Sequence, residues 1–395
     1  MSVSETFMPA GTMERTSGGA AFHYPTWDDW LAIAPPHRDQ GVVTEEVTLR
    51  FMANGVDWDA HGTLHRPAGA PLSEHGFVLL HGGAGSEAEL CETPDGRPGL
   101  ARVLASQGFP ALAVSFVGHY PAGGVWTTSP AERMPVYLLD RELPRDEILH
   151  RNMLCTFDVH VTGAALLADH CFSDMPLIAF GHSTGGPMAL ALHKKLKKNK
   201  IVGLVGWGSG EPNGWSREWA RWFSPAPEAS FPIDSIARRS VESFRKAGYE
   251  DERSLCPWGG AAEYTAWADR RKSQFKTSLC DNQHQAIVEA LPEYARRTGL
   301  PVEAYTGHLR DPDPDWLART GVYLMLGEKD SRLWSAGRTA QTNRQIFASE
   351  KFATRALRSL TTVVPRYGHF GFAGLYNEKI AYLWLKALLG GFFRP

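Results

Sequence analysis

Three residues able to do hydrolytic chemistry stand just past the ends of apolar runs: Ser183, Asp330 and His369. Ser183 lies in Gly181-His182-Ser183-Thr184-Gly185-Gly186, between an apolar run at 177–180 and a helical pattern at 187–192. A chain that reverses over so few residues has little room for side chains, and glycines remove that obstacle. The pattern predicts a strained strand–turn–helix that exposes a hydroxyl above a sheet. A capping serine in a glycine-rich turn is the plainer alternative. Asp330 closes Gly327-Glu328-Lys329-Asp330 after the run at 321–326, and His369 follows Tyr367-Gly368 after the run at 361–365. A serine hydroxyl needs an adjacent base to take its proton, and that base needs an acid to orient it and stabilise its charged form. His369 and Asp330 can fill those roles.

Attack on a carbonyl places negative charge on oxygen, which preorganised N–H groups must meet. The amide of Thr184 is one candidate donor. The turn His81-Gly82-Gly83-Ala84-Gly85 offers Gly83 as the second and Ala84 as a third. Other residues have plainer readings. His182 reads as a packing residue beside the nucleophile. His119, at another strand end, reads as a surface-loop residue that could reach the pocket. His61 and His65 lie four apart, but two histidines without a third ligand do not make a metal site. No metal and no cofactor are expected.

These residues need a sheet whose strand ends share an edge. Short apolar runs at 76–80, 111–116, 177–180, 201–207, 321–326 and 361–365 alternate with helical patterns at 99–107, 147–170 and 377–389. That rhythm predicts a mostly parallel sheet covered on both faces, with ligands at the carboxyl edge. Residues 43–51 and 56–65 read as two strands of a hairpin or meander, with Asn54-Gly55 as a good turn. Residues 1–40 read as an arm packed through Tyr24, Trp27 and Trp30. Residues 41–210 form the first part of the core and 321–395 the second. Residues 211–320 break the rhythm and read as a helical cap, too long for a plain crossover. Within it Trp215, Trp219 and Trp222 follow the spacing of one helix face, and Trp215 and Trp219 are candidates to line a pocket.

Composition sets outer limits. The 395 residues are 43% hydrophobic and 21% charged, with formal net charge −2. A packed core is expected, and the basic excess of a nucleic-acid binder is missing. The lysine-rich run at 193–200 reads as a solvated helix end, where cations suit the dipole. Five scattered cysteines form no CxxC pair, which suits reduced thiols. No apolar leader segment is visible and no run approaches the ~18 apolar residues of a membrane span. The expectation is a soluble cytoplasmic protein acting on a small molecule, with no nucleic-acid or membrane partner and a homodimer left open.

With His81-Gly82-Gly83, Gly181-His182-Ser183-Thr184-Gly185-Gly186, Gly327-Glu328-Lys329-Asp330 and Gly368-His369-Phe370 in this order, each after an apolar strand, the chain resembles the α/β-hydrolase superfamily. The resemblance covers about residues 41–210 and 321–395. It implies the α/β-hydrolase fold with a cap insertion, a Ser183-His369-Asp330 triad, and an oxyanion hole from Gly83 and Thr184. In this fold the acid can also follow the preceding strand, where Glu211 stands. The implied activity is hydrolysis of a carboxylic ester or lactone through an acyl-serine. The same triad supports C–C bond hydrolysis or acyl transfer, and a non-catalytic ligand binder is the reading from another class.

Overall fold

The computed structural model describes residues 8–15, 21–82, 87–93, 96–117, 154–183, 185–208, 295–302, 304, 313–328, 356–368 and 371–394. Ten strands form one sheet: β1 (Thr12–Arg15), β2 (Ala21–Tyr24), β3 (Val42–Ala53), β4 (Val56–Pro67), β5 (Gly76–Leu80), β6 (Ala111–Ser115), β7 (Pro176–His182), β8 (Lys200–Trp207), β9 (Gly321–Gly327) and β10 (Arg358–Val364). Their order across the sheet is β1-β2-β10-β9-β8-β7-β5-β6-β4-β3. Every pairing from β2 to β6 is parallel, while β1, β4 and β3 pair antiparallel at the two margins.

The central strands are apolar along their whole length because both faces are covered. Phe77 and Leu79 of β5 look one way, where they meet α3 (Leu100–Ser106) and the C-terminal helix Glu378–Leu389. Val78 and Leu80 look the other way, toward Phe157–Cys171 and Gly185–Leu192. With α1 (Trp27–Leu31), α2 (Ala88–Cys91) and a short turn of helix at Pro314–Leu317, these become α4 (Phe157–Cys171), α5 (Gly185–Leu192), α6 (Pro314–Leu317) and α7 (Glu378–Leu389) in chain order. Trp316 of α6 donates its indole N–H to Ile201 O at 3.0 Å, docking this turn on the core ahead of β9.

The hairpin predicted at Asn54-Gly55 forms, with φ of 52° and 75° at those residues, both in the region a tight two-residue turn demands. The arm holds more than its aromatic rings announce. Its segment Ala21–Tyr24 lies parallel to β10, and β1 folds back on it. A four-residue strand carries too short an alternation to be read from sequence. Of the helical pattern predicted over 147–170, α4 takes up from Phe157, and Leu154 is helical ahead of a break at Cys155 and Thr156, where Thr156 is extended (ψ 169°). The lysine run lies beyond the end of α5. The amides of Lys197, Lys198 and Asn199 all donate to the Asp169 carboxylate, at 2.7–3.1 Å, and Lys195 pairs with Asp158. Cys91, Cys155 and Cys171 are free thiols. Among the described residues no helix is long and apolar enough to cross a membrane.

Candidate active site

Ser183 follows β7 directly and adopts φ +48°, a left-handed backbone that serine rarely takes. Such a conformation costs on the order of 1–3 kcal/mol and persists only where its surroundings enforce it. Here glycines do the enforcing. A Cβ on Gly181 would stand 2.3 Å from both Cα and N of Gly186. One on Gly185 would stand 2.4 Å from Leu80 O. The end of β5, the end of β7 and the first turn of α5 therefore press together with nothing but backbone between them. Ser183 N–H donates to Trp207 O at 3.1 Å, and Ser183 O accepts from Gly186 N–H at 3.1 Å. The preceding His182 is buried against Phe372, with ring centroids 4.4 Å apart, while Ser183 itself is partly exposed.

The turn after β5 reaches the same place. His81 is fully buried. Its Nε2 accepts the Phe116 amide at 3.0 Å, so its Nδ1–H donates to Gly82 O at 2.6 Å. The ring thereby ties its own turn to the end of β6 and is committed to structure rather than proton transfer. A Cβ on Gly82 would meet His182 Nδ1 at 2.7 Å and Ser183 Cβ at 3.5 Å. Only a glycine lets this turn close on Ser183.

Beyond Ser183 the strand ends are levelled by a staircase of single rungs. Ser183 N–H donates to Trp207 O, Gly208 N–H to Met325 O, and Glu328 N–H to Val364 O. A Cβ on Gly327 would stand 2.3 Å from Tyr367 O and 2.6 Å from Gly368 O. Trp207 donates its indole N–H to Gly368 O at 3.2 Å. Because Trp207 is the register partner of His182, the chain leading into residue 369 runs one strand away from Ser183.

Of the candidate catalytic, oxyanion-hole and substrate-contacting residues, the structure describes Ser183. Asp330, His369, Gly83, Ala84, Thr184, His119, Glu211, Trp215 and Trp219 lie outside the described residues. Their described neighbours Gly82, Gly327 and Gly368 stand along one edge. His182 packs in the core, as the sequence suggested. His61 and His65 share a face of β4 and face Thr48 and Thr44, each with Nδ1 about 3 Å from a threonine hydroxyl. Among the described residues no cluster of three or more His, Cys, Asp or Glu is arranged to hold a metal ion.

Sequence reasoning missed two supports. One is Glu87. Its amide and carboxylate both bond Ser115 Oγ, and its Oε1 lies 3.6 Å from His61 Nε2. His61 and Ser115 are register partners on β4 and β6, so one carboxylate spans both strands. The other is Tyr367, whose hydroxyl donates to Leu375 O and accepts Trp30 Nε1–H at 3.3 Å. Burial pushes that phenol well above its ordinary range, so it stays neutral. Neither pair had a signal in sequence, since both join residues far apart along the chain.

A profile of the alpha/beta hydrolase family matches residues 77–378. Among curated proteins, none matches the chain in sequence. Many solved structures match the chain. They include a homoserine O-acetyltransferase from Staphylococcus aureus, 16% identical with TM-score 0.47, covering 87% of this chain and 95% of that one. A proline iminopeptidase from Mycobacterium smegmatis is 15% identical with TM-score 0.45, covering 88% and 97%. A probable hydrolytic enzyme from Pseudomonas aeruginosa is 17% identical with TM-score 0.45, covering 91% and 96%.

Proposed function

The chain belongs to the α/β-hydrolase family, and on that footing we propose that it is a cofactor-independent serine hydrolase cleaving a carboxylic ester or lactone. The observation that carries this reading is Ser183 held at φ +48° on a strand-to-helix turn cleared by glycines. A capping serine needs no such conformation, because an N-cap residue sits in extended backbone.

In this mechanism Ser183 Oγ attacks the substrate carbonyl while His369 takes its proton. Asp330 fixes the imidazole tautomer and stabilises its charge. The oxyanion meets the amides of Thr184 and Gly83, with Ala84 beside them; each such donor is worth about 2.7–4 kcal/mol in the transition state. His369 then protonates the leaving alkoxide, the C–O bond breaks, and an acyl-serine remains. Water attacks that ester as His369 removes its proton, and returning the proton to Ser183 Oγ releases the acid. The cap within 211–320, with Trp215 and Trp219, suits a mid-sized apolar or aromatic substrate, while α6 at the end of that segment docks on the core through Trp316. His119 lines the same pocket in this reading.

The test is intact-mass spectrometry after fluorophosphonate treatment of wild type, Ser183→Ala, His369→Ala, Asp330→Asn and Glu211→Gln. One adduct is expected on wild type, none on Ser183→Ala, and slow labelling on the His369 and Asp330 variants. Normal labelling of Asp330→Asn with slow labelling of Glu211→Gln transfers the acid's role to Glu211. Folded wild type that takes no adduct overturns the reading.

A further inference from the structure

The segment that leads into His369 is itself a strained turn. Arg366 adopts φ +66°, outside the usual range for a bulky side chain. Three contacts hold it there. Its amide donates to Glu328 Oε2 at 2.8 Å. Its guanidinium lies over the Trp27 ring, 4.9 Å from the centroid. The next residue, Tyr367, is buried among Trp27, Trp30 and Trp207, with centroids 6.4, 5.6 and 5.6 Å away. Two of those three indoles come from α1, in the N-terminal arm.

The arm is anchored firmly enough to serve as a reference. Ala21, Phe22 and His23 pair in register with Leu360, Thr361 and Thr362 of β10, the strand that feeds this turn. Thr26 caps α1 in a reciprocal pair with Asp29. Lys379 of α7 donates to Ile33 O at 2.7 Å where the arm leaves the core. Trp30 is fully buried, and its indole N–H is spent on the Tyr367 hydroxyl. A strained backbone persists only where neighbours over-determine it, and here the arm supplies much of that determination.

We propose that the N-terminal arm is a positioning element for the proposed catalytic base. Through Trp27 on Arg366 and Trp30 on Tyr367, it sets the path of the backbone that delivers His369. The arm is thus part of the catalytic apparatus without touching substrate, and Trp30 is a positioning residue. Its link to turnover rests on the serine-hydrolase reading above; its link to the position of His369 does not.

The experiment compares Trp30→Phe, which loses the indole donor but keeps an aromatic ring, Trp27→Ala, and Trp316→Phe. The last removes an equivalent indole bond, Trp316 to Ile201 O, near the start of β8 and away from the strand ends that carry the site. Two readouts are taken on the folded full-length chain. One is the pH dependence of fluorophosphonate labelling at Ser183. The other is the imidazole 1H–13C signal of His369, assigned by its loss in His369→Ala. Trp30→Phe and Trp27→Ala are expected to slow labelling about tenfold or more, as a displaced base does. They are also expected to shift the pH midpoint and move the His369 signal. Trp316→Phe should stay within about twofold of wild type. Variants of Trp30 and Trp27 that melt earlier yet leave the pH midpoint and the His369 signal unchanged overturn the proposal and leave the arm a purely structural brace. If wild type takes no label at all, the hydrolase reading falls, and the His369 signal alone decides the positioning role.

Discussion

Gly82 and His182 touch so closely that a Cβ on the glycine would stand 2.7 Å from the imidazole Nδ1. This contact joins the turn after β5 to the residue before Ser183, so a change on one side must be absorbed by the other. Gly82→Ala is expected to destabilise the fold by about 1–3 kcal/mol through overpacking and to slow labelling of Ser183. Truncating the facing ring in Gly82→Ala/His182→Ala should recover part of that loss. A double-mutant cycle in urea reads the coupling, expected at about 0.5–3 kcal/mol. Additive effects would show that the two residues do not constrain one another.

Ser183 carries backbone strain that a glycine would not. Ser183→Gly should therefore hold or raise the stability of the fold by up to about 1 kcal/mol, the relief of strain being offset by the greater freedom of glycine in the unfolded chain. It should also abolish the fluorophosphonate adduct. Calorimetry beside mass spectrometry tests both halves. A clear fall in melting temperature would mean that the left-handed turn costs nothing.

Glu87 bonds Ser115 and faces His61 in a buried setting, with side chains only 6% and 8% exposed for the acid and the imidazole. Removing one partner of such a pair strands the other. Glu87→Ala leaves the buried Ser115 hydroxyl without its acceptor and is expected to cost about 1–3 kcal/mol. Glu87→Gln, whose amide oxygen can still accept from Ser115, should cost clearly less. Urea midpoints for the two variants make the comparison, and equal losses would show that the hydrogen bond to Ser115 contributes little.

His65 gives the fold a pH dependence. Burial chiefly, and Arg102 after it, lower its proton affinity from the ordinary 6.5 to about 4. Between those values the unfolded chain binds the extra proton and the folded one does not. The stability from His65 is thus complete above about pH 6.5, declines as pH falls toward 4, and levels off below. Between pH 7.5 and pH 5 this amounts to about 2 kcal/mol. Burial pushes His23, His75 and His193 the same way, adding to the trend. His65→Gln should flatten the slope of stability against pH by its share, and an unchanged slope would place the dependence on the other three.

The central sheet was legible because its strands are buried on both faces and so must be apolar throughout. Runs such as 177–180 and 321–326 stand out from any amphipathic helix. The Ser183 turn was legible for a related reason: Gly181 and Gly185 are each forced by backbone contact, so the constraint is written in residue type. Contacts that join distant segments leave no such trace. Trp30 and Tyr367 are each ordinary aromatics until the fold brings them together. Glu87 looks like a surface acid until the β4–β6 register sets His61 and Ser115 side by side. The arm's strands were illegible because four residues of β1, mostly exposed, carry no pattern.

The pairing of Ala21 with Leu360 has a consequence for how the molecule comes into being. During synthesis the segment at 21–24 leaves the ribosome about 340 residues before its β10 partner exists. At ordinary elongation rates the wait is roughly 20–70 s. The aromatic arm must spend that time without its groove. Tyr367, its main contact, comes later still. The sheet is therefore closed at the β10 margin by an early segment returning to one made much later, and only then is the turn before His369 braced. A nascent chain stalled before β10 would hold Ser183 and β7 but lack this brace, which forms only once β10 has emerged.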